Sequence, residues 1–410
     1  MTAQDVVIVG GGPAGLSTAL FLVHAAPSLA GRIVVLEKAR YPREKFCAGA
    51  IGARADRLLG SIGVVVDVPS VWFDSIAFRA LGETTVVNEG RIGRVVRRIE
   101  FDHALARIAR ERGIRIVEDA QVTGLTRVPG GVEVESLAGR FRARALIGAD
   151  GVTSVVRKWL GLPSSRFRAQ ALEIDTEPVA GDLSRDAILF DVSHRELPGY
   201  YWDFPTIVDG QELVCRGVYL LRMDDDQPAP EIQDVLEAEL EKRGLRLADY
   251  KKKRYAERGF ERHAPVSRAN VLLVGEAAGI DPVTGEGIAQ AIQYGAVAGG
   301  YLARKLRGRD LDFADWPAEI RATMIGRDLF VRSAGVNLFY GPPRAFIERF
   351  LLDTPDFIRV GIQHFAGKPW SRAAILRACW GAVKSGVRWT LGDGGRRGPV
   401  ENALERGPAA

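Results

Sequence analysis

Cysteine and histidine are scarce in this sequence of 410 residues, which contains three cysteines and five histidines. Cys47, Cys215 and Cys379 lie far apart, and their odd number fits a reducing compartment such as the cytoplasm. Neither residue type has metal-ligand spacing, so we expect no metal ion. The sequence also lacks an apolar run of about 18 residues, which excludes a membrane-spanning helix. Because the first strand is expected from residue 5, we predict no signal peptide.

An excess of charge of one sign is missing as well. The 56 basic and 51 acidic residues give a formal net charge of +5, and they are scattered along the chain. This balance gives no reason to expect a nucleic-acid partner. The one dense basic run, Lys251 to Arg254, is interpreted as a solvated loop or helix end, with contact to an acidic partner or anionic lipid as the alternative. Nothing in the pattern specifies an oligomer.

The N-terminal segment carries the strongest pattern. Four β-forming residues lead into G-x-G-x-x-G at residues 10–15, a helix is expected from Leu16 to His24, and a second apolar run at 33–36 ends in Glu37. This arrangement predicts a dinucleotide-binding βαβ unit. In such a unit Gly10 makes the tight turn, Gly12 admits the pyrophosphate, Gly15 allows close packing, and Glu37 accepts a hydrogen bond from a ribose.

Two later segments predict further parts of the same site. Asp150 and Gly151 follow an expected strand at 143–148, and Glu276 follows another at 270–275. A long helix is expected to open at Gly285–Ile288 and to run to Leu306. Because ligands of such sheets bind at the carboxyl ends of strands, these segments should converge with the first. The helix N-terminus would stabilise the negative charge of a reduced flavin.

The expected fold class is α/β. A Rossmann-like, FAD-binding domain is interrupted by a β-sheet-rich substrate domain, and a helical C-terminal region follows. The expected division is cofactor-binding parts at 1–70, 96–164 and 263–306, substrate-domain parts at 71–95 and 165–262, a helical region at 307–391 and a disordered tail at 392–410.

The motifs together resemble the FAD-dependent oxidoreductase superfamily, which includes aromatic hydroxylases, flavin-dependent halogenases and geranylgeranyl reductases. They are G-G-G-P-A-G at 10–15, R-R-I-E-F-D at 97–102, G-A-D-G-V-T-S-V-V-R at 148–157 and G-E-A-A-G-I-D-P-V-T-G-E-G-I at 275–288. The resemblance implies that Arg98 lies near the FAD phosphate or ribose and Val122 near the adenine. Glu276 replaces the more usual Asp, and Gly279 replaces a His typical of hydroxylases. The cofactor contacts expected are Gly10, Gly12, Pro13, Ala14, Gly15, Glu37, Lys38, Cys47, Ala48, Arg98, Val122, Asp150, Gly151, Gly275, Glu276, Pro282, Gly285, Gly287 and Ile288.

Two further motifs are similar to geranylgeranyl reductase-like enzymes. Residues 41–49 resemble their Cys-Gly-Gly segment, with Ala48 in place of the first Gly, and residues 200–205 fit Y-x-W-x-F-P. Strand alternation puts Tyr200, Trp202 and Phe204 on one face, where they would wall an apolar pocket beside the flavin. We name these three residues and Cys47, as proton donor or pocket-shaping residue, as the catalytic candidates. The alternatives are an ordinary aromatic strand in a core and a buried apolar thiol.

The favoured function is therefore reduction of C=C bonds in an apolar, isoprenoid-like substrate by hydride from reduced FAD. Alternatives are a monooxygenase acting on an aromatic or protein-bound substrate, a halogenase, or a flavoprotein without catalysis. Halogenases depend on a lysine downstream of the first motif, and this chain has none between Lys45 and Lys158. Because no second nucleotide fingerprint is present, the electron donor would be transiently bound NAD(P)H, a ferredoxin or a flavin reductase.

The C-terminal region interleaves aromatic and apolar residues with arginines, for example around Phe346, Phe350 and Phe357. We interpret it as helices packed on the catalytic domain. The alternative is a basic amphipathic surface that makes peripheral contact with the inner face of the membrane or with a lipid-linked substrate.

Overall fold

Two eight-stranded sheets organise the chain. The structure, a computed structural model, describes residues 2–223, 228–308, 311–369 and 372–390. The tail expected to be disordered therefore lies outside the described residues. The strands are β1 (Thr2–Val9), β2 (Ile33–Leu36), β3 (Ala50–Gly52), β4 (Ser70–Ala80), β5 (Glu83–Val96), β6 (Arg115–Val117), β7 (Val122–Val128), β8 (Gly131–Ser136), β9 (Gly139–Gly148), β10 (Arg168–Thr176), β11 (Ala187–Asp191), β12 (Gly199–Val208), β13 (Gln211–Arg222), β14 (Lys253–Arg258), β15 (Ser267–Arg268) and β16 (Val271–Leu273).

Helices cover the first sheet and make up the C-terminal region. They are α1 (Pro13–Ala25), α2 (Ala53–Gly60), α3 (Arg98–Glu111), α4 (Val155–Trp159), α5 (Ile232–Glu241), α6 (Ile288–Lys305), α7 (Trp316–Ala322), α8 (Met324–Tyr340), α9 (Arg344–Asp353), α10 (Pro355–Ala366) and α11 (Arg372–Thr390). The α/β class and the helical C-terminal region predicted from the sequence are confirmed. None of the described helices combines the length and the apolar content needed to cross a membrane.

The first sheet has the order β15-β16-β9-β1-β2-β6, with the β7–β8 hairpin joined through β9. Its central strands are parallel, and the pairing aligns Val9 with Leu36 and Gly148, and Gly148 with Leu273. The carboxyl ends of these strands therefore emerge at one level. The residues of these central strands are buried on both faces of the sheet, as expected for a parallel sheet between helix layers.

Close packing of α1 on α6 fixes the helix layer above this edge. A Cβ on Gly295 would lie 2.0 Å from the Ser17 Oγ, and one on Gly299 would lie 2.6 Å from the Phe21 Cβ. Only glycine permits this approach at these two positions. The long helix begins at Ile288 rather than at Gly285, because Gly285 has φ +66° and forms the preceding turn.

The second sheet has the order β14-β10-β13-β12-β11-β4-β5-β3. It includes β3, which comes from the segment expected to belong to the first cofactor-binding part. One face of the sheet packs on Val336, Tyr340, Ile362 and Ala366 of the C-terminal helices. The other face, which includes Tyr201, packs on α5.

Candidate functional site

A cavity of about 600 Å³ opens where the central strands of the first sheet end. We call it the sheet-edge cavity. Most of the predicted cofactor contacts line it, which brings together segments that are far apart in sequence. These lining residues are Gly10, Gly12, Pro13, Ala14, Glu37, Lys38, Cys47, Arg98, Val122, Asp150, Gly151, Glu276, Gly285, Gly287 and Ile288.

The remaining four predicted contacts lie elsewhere. Ala48 lines a different cavity, described below. Gly15 lies against the Gly10 carbonyl, where a Cβ would come within 2.0 Å of the oxygen, and a Cβ on Gly275 would lie 2.6 Å from the Ala14 Cβ. The Pro282 carbonyl accepts a hydrogen bond from the Tyr219 hydroxyl. Gly15 and Gly275 thus allow close packing behind the cavity wall, and a direct cofactor contact by any of the four stays a prediction.

Glu37 is held at the tip of β2 by its own hydrogen bonds. Its Oε2 accepts from the Gly11 N–H at 3.0 Å, and its Oε1 accepts from the Ala39 N–H at 3.1 Å. The carboxylate is thus buried and oriented by the backbone of the glycine loop. This is the position from which a carboxylate receives a ribose hydroxyl in dinucleotide-binding folds.

Two arginines connect this carboxylate to the start of α3. Arg43 contacts Glu37 at 3.2 Å and Asp102 at 3.0 Å, and Arg98 makes a bidentate pair with the fully buried Asp102 at 2.6 and 2.7 Å. The Arg43 Nε is the atom that lies 3.2 Å from the Glu37 Oε2, so this guanidinium is held by ion pairs on two sides. Arg43 lies inside the 41–49 motif but is not among the cofactor contacts predicted from the sequence. Both guanidinium groups line the sheet-edge cavity and give it the cations that phosphates require.

Two helix N-termini complete the polar part of this cavity. No side chain in the described part of the molecule caps α1 or α6. The N–H groups of both first turns and the positive ends of both helix dipoles therefore remain available to an anion. The N-terminus of α4 differs from these two, because the Asp150 carboxylate accepts hydrogen bonds from the Ser154 hydroxyl and from two N–H groups at the start of that helix. Asp150 caps that helix and contributes to the cavity wall.

A second, apolar cavity of about 330 Å³ lies between the second sheet and the C-terminal helices. Tyr200, Trp202 and Phe204 all line it, as the alternation along β12 predicts. Phe190 on β11 packs between Tyr200 and Phe204, with ring centroids 5.2 and 5.3 Å away. The opposite wall, from α8, α9 and α10, is mostly apolar but also includes Arg332, Arg344 and Glu348. Its apolar residues are Phe339, Tyr340, Ile347, Leu351, Phe357, Ile358, Ile362 and Phe365.

The two cavities share one stretch of wall. The residues that line both are Cys47, Tyr255, Glu257, Gly285, Gly287 and Ile288. A group bound in the sheet-edge cavity and a group bound in the apolar cavity would therefore meet at this junction. Tyr255 and Glu257 lie on β14. They were not predicted as site residues, because no motif surrounds them in the sequence. Their one signal is the two-residue spacing that puts both on the same face of a strand.

Glu257 is the unusual carboxyl at the junction. Its Oε2 is buried without a hydrogen-bond partner within the described chain. Burial, reinforced by the nearby carboxylate of Glu276, raises the pKa of Glu257 well above its usual value. A Cβ on Gly285 would lie 2.5 Å from this Oε2, so the glycine leaves room for the carboxyl beside the start of α6. Burial therefore favours the neutral, protonated form of the Glu257 carboxyl.

Cys47 lies on the other side of the junction. Burial is the main cause that raises the pKa of its thiol to about 11, and Arg98 opposes the shift. Its backbone N–H donates to the Glu173 Oε1 at 3.2 Å, and the Tyr255 hydroxyl donates to the Glu173 Oε2 at 3.2 Å. Glu173, whose pKa burial raises to about 7, thus connects the two junction residues from behind the wall. Cys47 holds its thiol proton at neutral pH.

The histidine nearest to Tyr200 in sequence and two residues of the basic run lie outside the junction. His194 does not line either cavity, and its Nε2 lies 2.6 Å from Glu239 on α5. In the basic run, Lys253 pairs with Asp175, and Arg254 donates to Gln233. No group of His, Cys, Asp and Glu in the described ranges is arranged to hold a metal ion.

The donor set of the sheet-edge cavity fits an FAD. It offers a carboxylate at the tip of the second strand, two arginines and two helix N-termini without side-chain caps. Such groups match a ribose and a pyrophosphate, while the shared junction offers an apolar neighbour to a flavin ring. The apolar cavity suits a substrate without charge.

Comparison with known proteins agrees with this geometry. A family model described as "FAD binding domain" matches residues 3–312. Digeranylgeranylglycerophospholipid reductase 1 of Methanococcoides burtonii is 27% identical over 332 residues, which cover 75% of this chain and 76% of that protein. A geranylgeranyl bacteriochlorophyll reductase-like structure from Thermoplasma acidophilum aligns with a TM-score of 0.74 at 20% identity, over 96% of this chain and 100% of that one.

A flavin-dependent brominase, Bmp2, has a similar fold. Its TM-score is 0.69 at 18% identity, over 95% of this chain and 100% of that one. The resemblance to geranylgeranyl reductase-like flavoproteins that the motifs predict is confirmed by the relatives of that type. Because the family model covers more than half of the sequence, the chain belongs to the FAD binding domain family and is an FAD-dependent oxidoreductase.

Proposed function

We propose that this protein reduces C=C bonds of an apolar, isoprenoid-like lipid substrate, with NAD(P)H, a ferredoxin or a flavin reductase as the external electron donor. The observation that carries the proposal is the junction of the sheet-edge cavity with an aromatic-walled apolar cavity. Relatives named digeranylgeranylglycerophospholipid reductase support this substrate class. At the junction, burial raises the pKa of the Cys47 thiol to about 11 and also raises the pKa of the Glu257 carboxyl.

The chemistry needs a hydride and a proton for each double bond. Bound FAD, once reduced, supplies the hydride. The proton comes from the chain, and we assign it to Glu257, whose carboxyl is buried, has a raised pKa and is shared by both cavities. Solvent then returns a proton to the Glu257 carboxylate. The hydride and the proton add to the two carbons of the double bond, so the substrate gains two hydrogen atoms.

Cys47 and the aromatic residues position the substrate in this proposal. The Cys47 thiol has a pKa of about 11, so it stays neutral and presents an uncharged surface to an alkene. Tyr200, Trp202 and Phe204 provide a rigid wall that excludes water, which favours hydride transfer over side reactions.

The deciding experiment is turnover without oxygen. The holoenzyme is reduced chemically in an anaerobic chamber, mixed with a geranylgeranyl glycerophospholipid or with geranylgeraniol, and the product is analysed by mass spectrometry. A reductase adds two hydrogen atoms per double bond under these conditions. A product that forms only in air and gains an oxygen atom would replace this proposal with a monooxygenase.

Glu257→Gln tests the assigned proton. We expect the variant to retain bound FAD and to lose at least about a hundredfold in turnover, within the range that general acid catalysis contributes. Glu257→Asp should restore part of the rate. The matched control is Glu212→Gln, an exposed carboxylate on β13 of the same sheet. Unchanged turnover of Glu257→Gln would remove Glu257 from the mechanism while leaving the reductase proposal in place.

A further inference from the structure

In the last described helix, α11, small side chains face the protein interior and large apolar side chains face outward. Its buried residues are small, namely Ala374, Ala378 and Ser385. Its large apolar residues are exposed, with Leu376 at 70%, Trp380 at 60% and Val383 at 55% of their full accessibility. A helix that serves only to pack on its own domain turns its large apolar residues inward. The outward face of α11 therefore needs another explanation.

The three exposed residues form one continuous stripe. They are spaced i, i+4 and i+7, so they lie on the same side of the helix. On the opposite side, α11 approaches its neighbours closely, because a Cβ on Gly381 would lie 2.3 Å from the Thr354 Cγ2. The small residues thus hold α11 on the body of the protein while the stripe faces outward. Contiguous exposed apolar surface of this kind marks an interaction site.

The charges along α11 indicate the kind of partner. Residues 372–390 contain three arginines and one lysine and no acidic residue. Arg377 pairs with Asp356 of α10, and the Lys384 ammonium lies 5.4 Å from the centroid of the Trp380 ring. An apolar stripe that carries a tryptophan and is accompanied only by cations is complementary to the interface of an anionic bilayer. A soluble protein partner would not require this one-signed charge.

The position of α11 connects this stripe to the apolar cavity. The helix packs on α9 and α10, and these two helices supply part of the cavity wall. Phe357 of α10 both lines the cavity and is 44% exposed, so the wall reaches the protein surface at this point. A bilayer in contact with α11 would lie beside the helices through which an apolar molecule enters.

We propose that α11 docks on the surface of an anionic lipid bilayer through Leu376, Trp380 and Val383. The helix lies along the interface without crossing the bilayer. The docking itself does not depend on the proposed function. The transfer of substrate from the bilayer into the apolar cavity does rest on that function, and it is tested separately by the anaerobic turnover described above.

The test is co-sedimentation of the full-length holoenzyme with vesicles. One set contains phosphatidylglycerol and phosphatidylcholine, and the other contains phosphatidylcholine alone. The double variant Leu376→Gln/Trp380→Gln removes the stripe. The matched control, Val65→Gln/Leu137→Gln, replaces two exposed apolar residues outside the helices, at 78% and 71% accessibility. FAD absorbance and thermal melting confirm that each variant is folded.

We expect the wild type and the control to bind anionic vesicles, and the double variant to bind about tenfold less, which corresponds to roughly 1.4 kcal/mol. Binding should weaken as salt is added and should be low on phosphatidylcholine alone. Anionic vesicles should also protect Cys379, an exposed cysteine beside Trp380, from alkylation.

Three outcomes would overturn the proposal. The first is that the wild type fails to bind anionic vesicles. The second is that the double variant binds them as well as the wild type. In the third outcome, light scattering shows that the wild type is an oligomer that the double variant dissociates, with Cys379 equally reactive with and without vesicles. That last result would assign the stripe to a second copy of the chain.

Discussion

Tyr200 and Tyr219 stack across neighbouring strands with their ring centroids 5.2 Å apart, and both donate their hydroxyls to the same turn. Tyr200 donates to the Thr284 carbonyl and Tyr219 to the Pro282 carbonyl. The Tyr340 hydroxyl, on α8, donates to the Val283 carbonyl, which lies between those two carbonyls in the chain. Three tyrosines from two layers thus fix the turn that precedes α6, and with it the helix N-terminus at the junction of the cavities.

Tyr219→Phe removes one of these three hydrogen bonds without removing the ring. Because the Pro282 carbonyl then loses a donor in a buried setting, we expect the free energy of unfolding to fall by about 1 kcal/mol. Urea denaturation measures this change. Tyr250→Phe is the control, since its hydroxyl bonds the exposed Glu177, and the expected change there is within about 0.5 kcal/mol. Equal losses in both variants would contradict the fixed turn.

Glu37→Arg should strip the cofactor. The substitution removes the acceptor of the Gly11 N–H and places a second cation beside Arg43. We expect FAD affinity to fall by about a hundredfold, roughly 2.7 kcal/mol, and the purified protein to be colourless. Absorbance and titration with FAD measure the effect. Glu111→Arg, an exposed charge reversal at the end of α3, should remain yellow. A yellow Glu37→Arg protein with normal affinity would exclude the ribose assignment.

The alkylation of Cys47 should depend on pH in an unusual way. The reactive form is the thiolate, and the raised pKa of about 11 keeps Cys47 protonated below that pH. Its rate with iodoacetamide, followed by peptide mass spectrometry, should still rise beyond pH 10. Cys379 is exposed, and its alkylation in the same samples is the internal control for the reagent. Glu173→Gln removes a nearby negative charge and should lower the pKa of Cys47. A rate for Cys47 that is constant above pH 9 would contradict the burial argument.

Gly295→Ala and Gly300→Ala compare two positions on one helix. The added Cβ at 295 meets the Ser17 Oγ, so we expect a loss of roughly 1 to 3 kcal/mol of unfolding free energy. At 300 the nearest heavy atom is 3.9 Å away, at the end of the Arg304 side chain. Alanine there should stabilise the helix by about 0.5 to 1 kcal/mol. Calorimetry distinguishes the two, and a loss of similar size at both positions would contradict the tight α1–α6 contact.

The sheet-edge cavity was largely predictable because its chemistry depends on local sequence. The turn at Gly10, the helix start after Gly12 and the carboxylate of Glu37 are set by the conformations of consecutive residues. The parallel sheet then brings the strand ends together by a general rule. The same logic gave the common face of Tyr200, Trp202 and Phe204, since alternation is a property of any strand.

The junction was not predictable in the same way. Tyr255 and Glu257 reach it only because β14 pairs with β10 at the edge of the second sheet, and strand pairing over more than 80 residues leaves no local mark. Tyr219 meets Tyr200 through the register of β12 and β13. For α11, the sequence pattern indicates an amphipathic helix, but periodicity does not tell which face is turned inward.

One wall of the apolar cavity comes from a part of the chain that does not reach the sheet-edge cavity. Every residue that lines the sheet-edge cavity lies before residue 292, whereas α8, α9 and α10 contribute to the apolar cavity alone. Under the proposed function, larger or smaller residues at positions such as Ile347, Leu351 and Ile358 would shorten or lengthen the accepted substrate while the lining of the sheet-edge cavity stays unchanged. A protein engineer could therefore vary α8, α9 and α10 to change substrate length separately from cofactor binding.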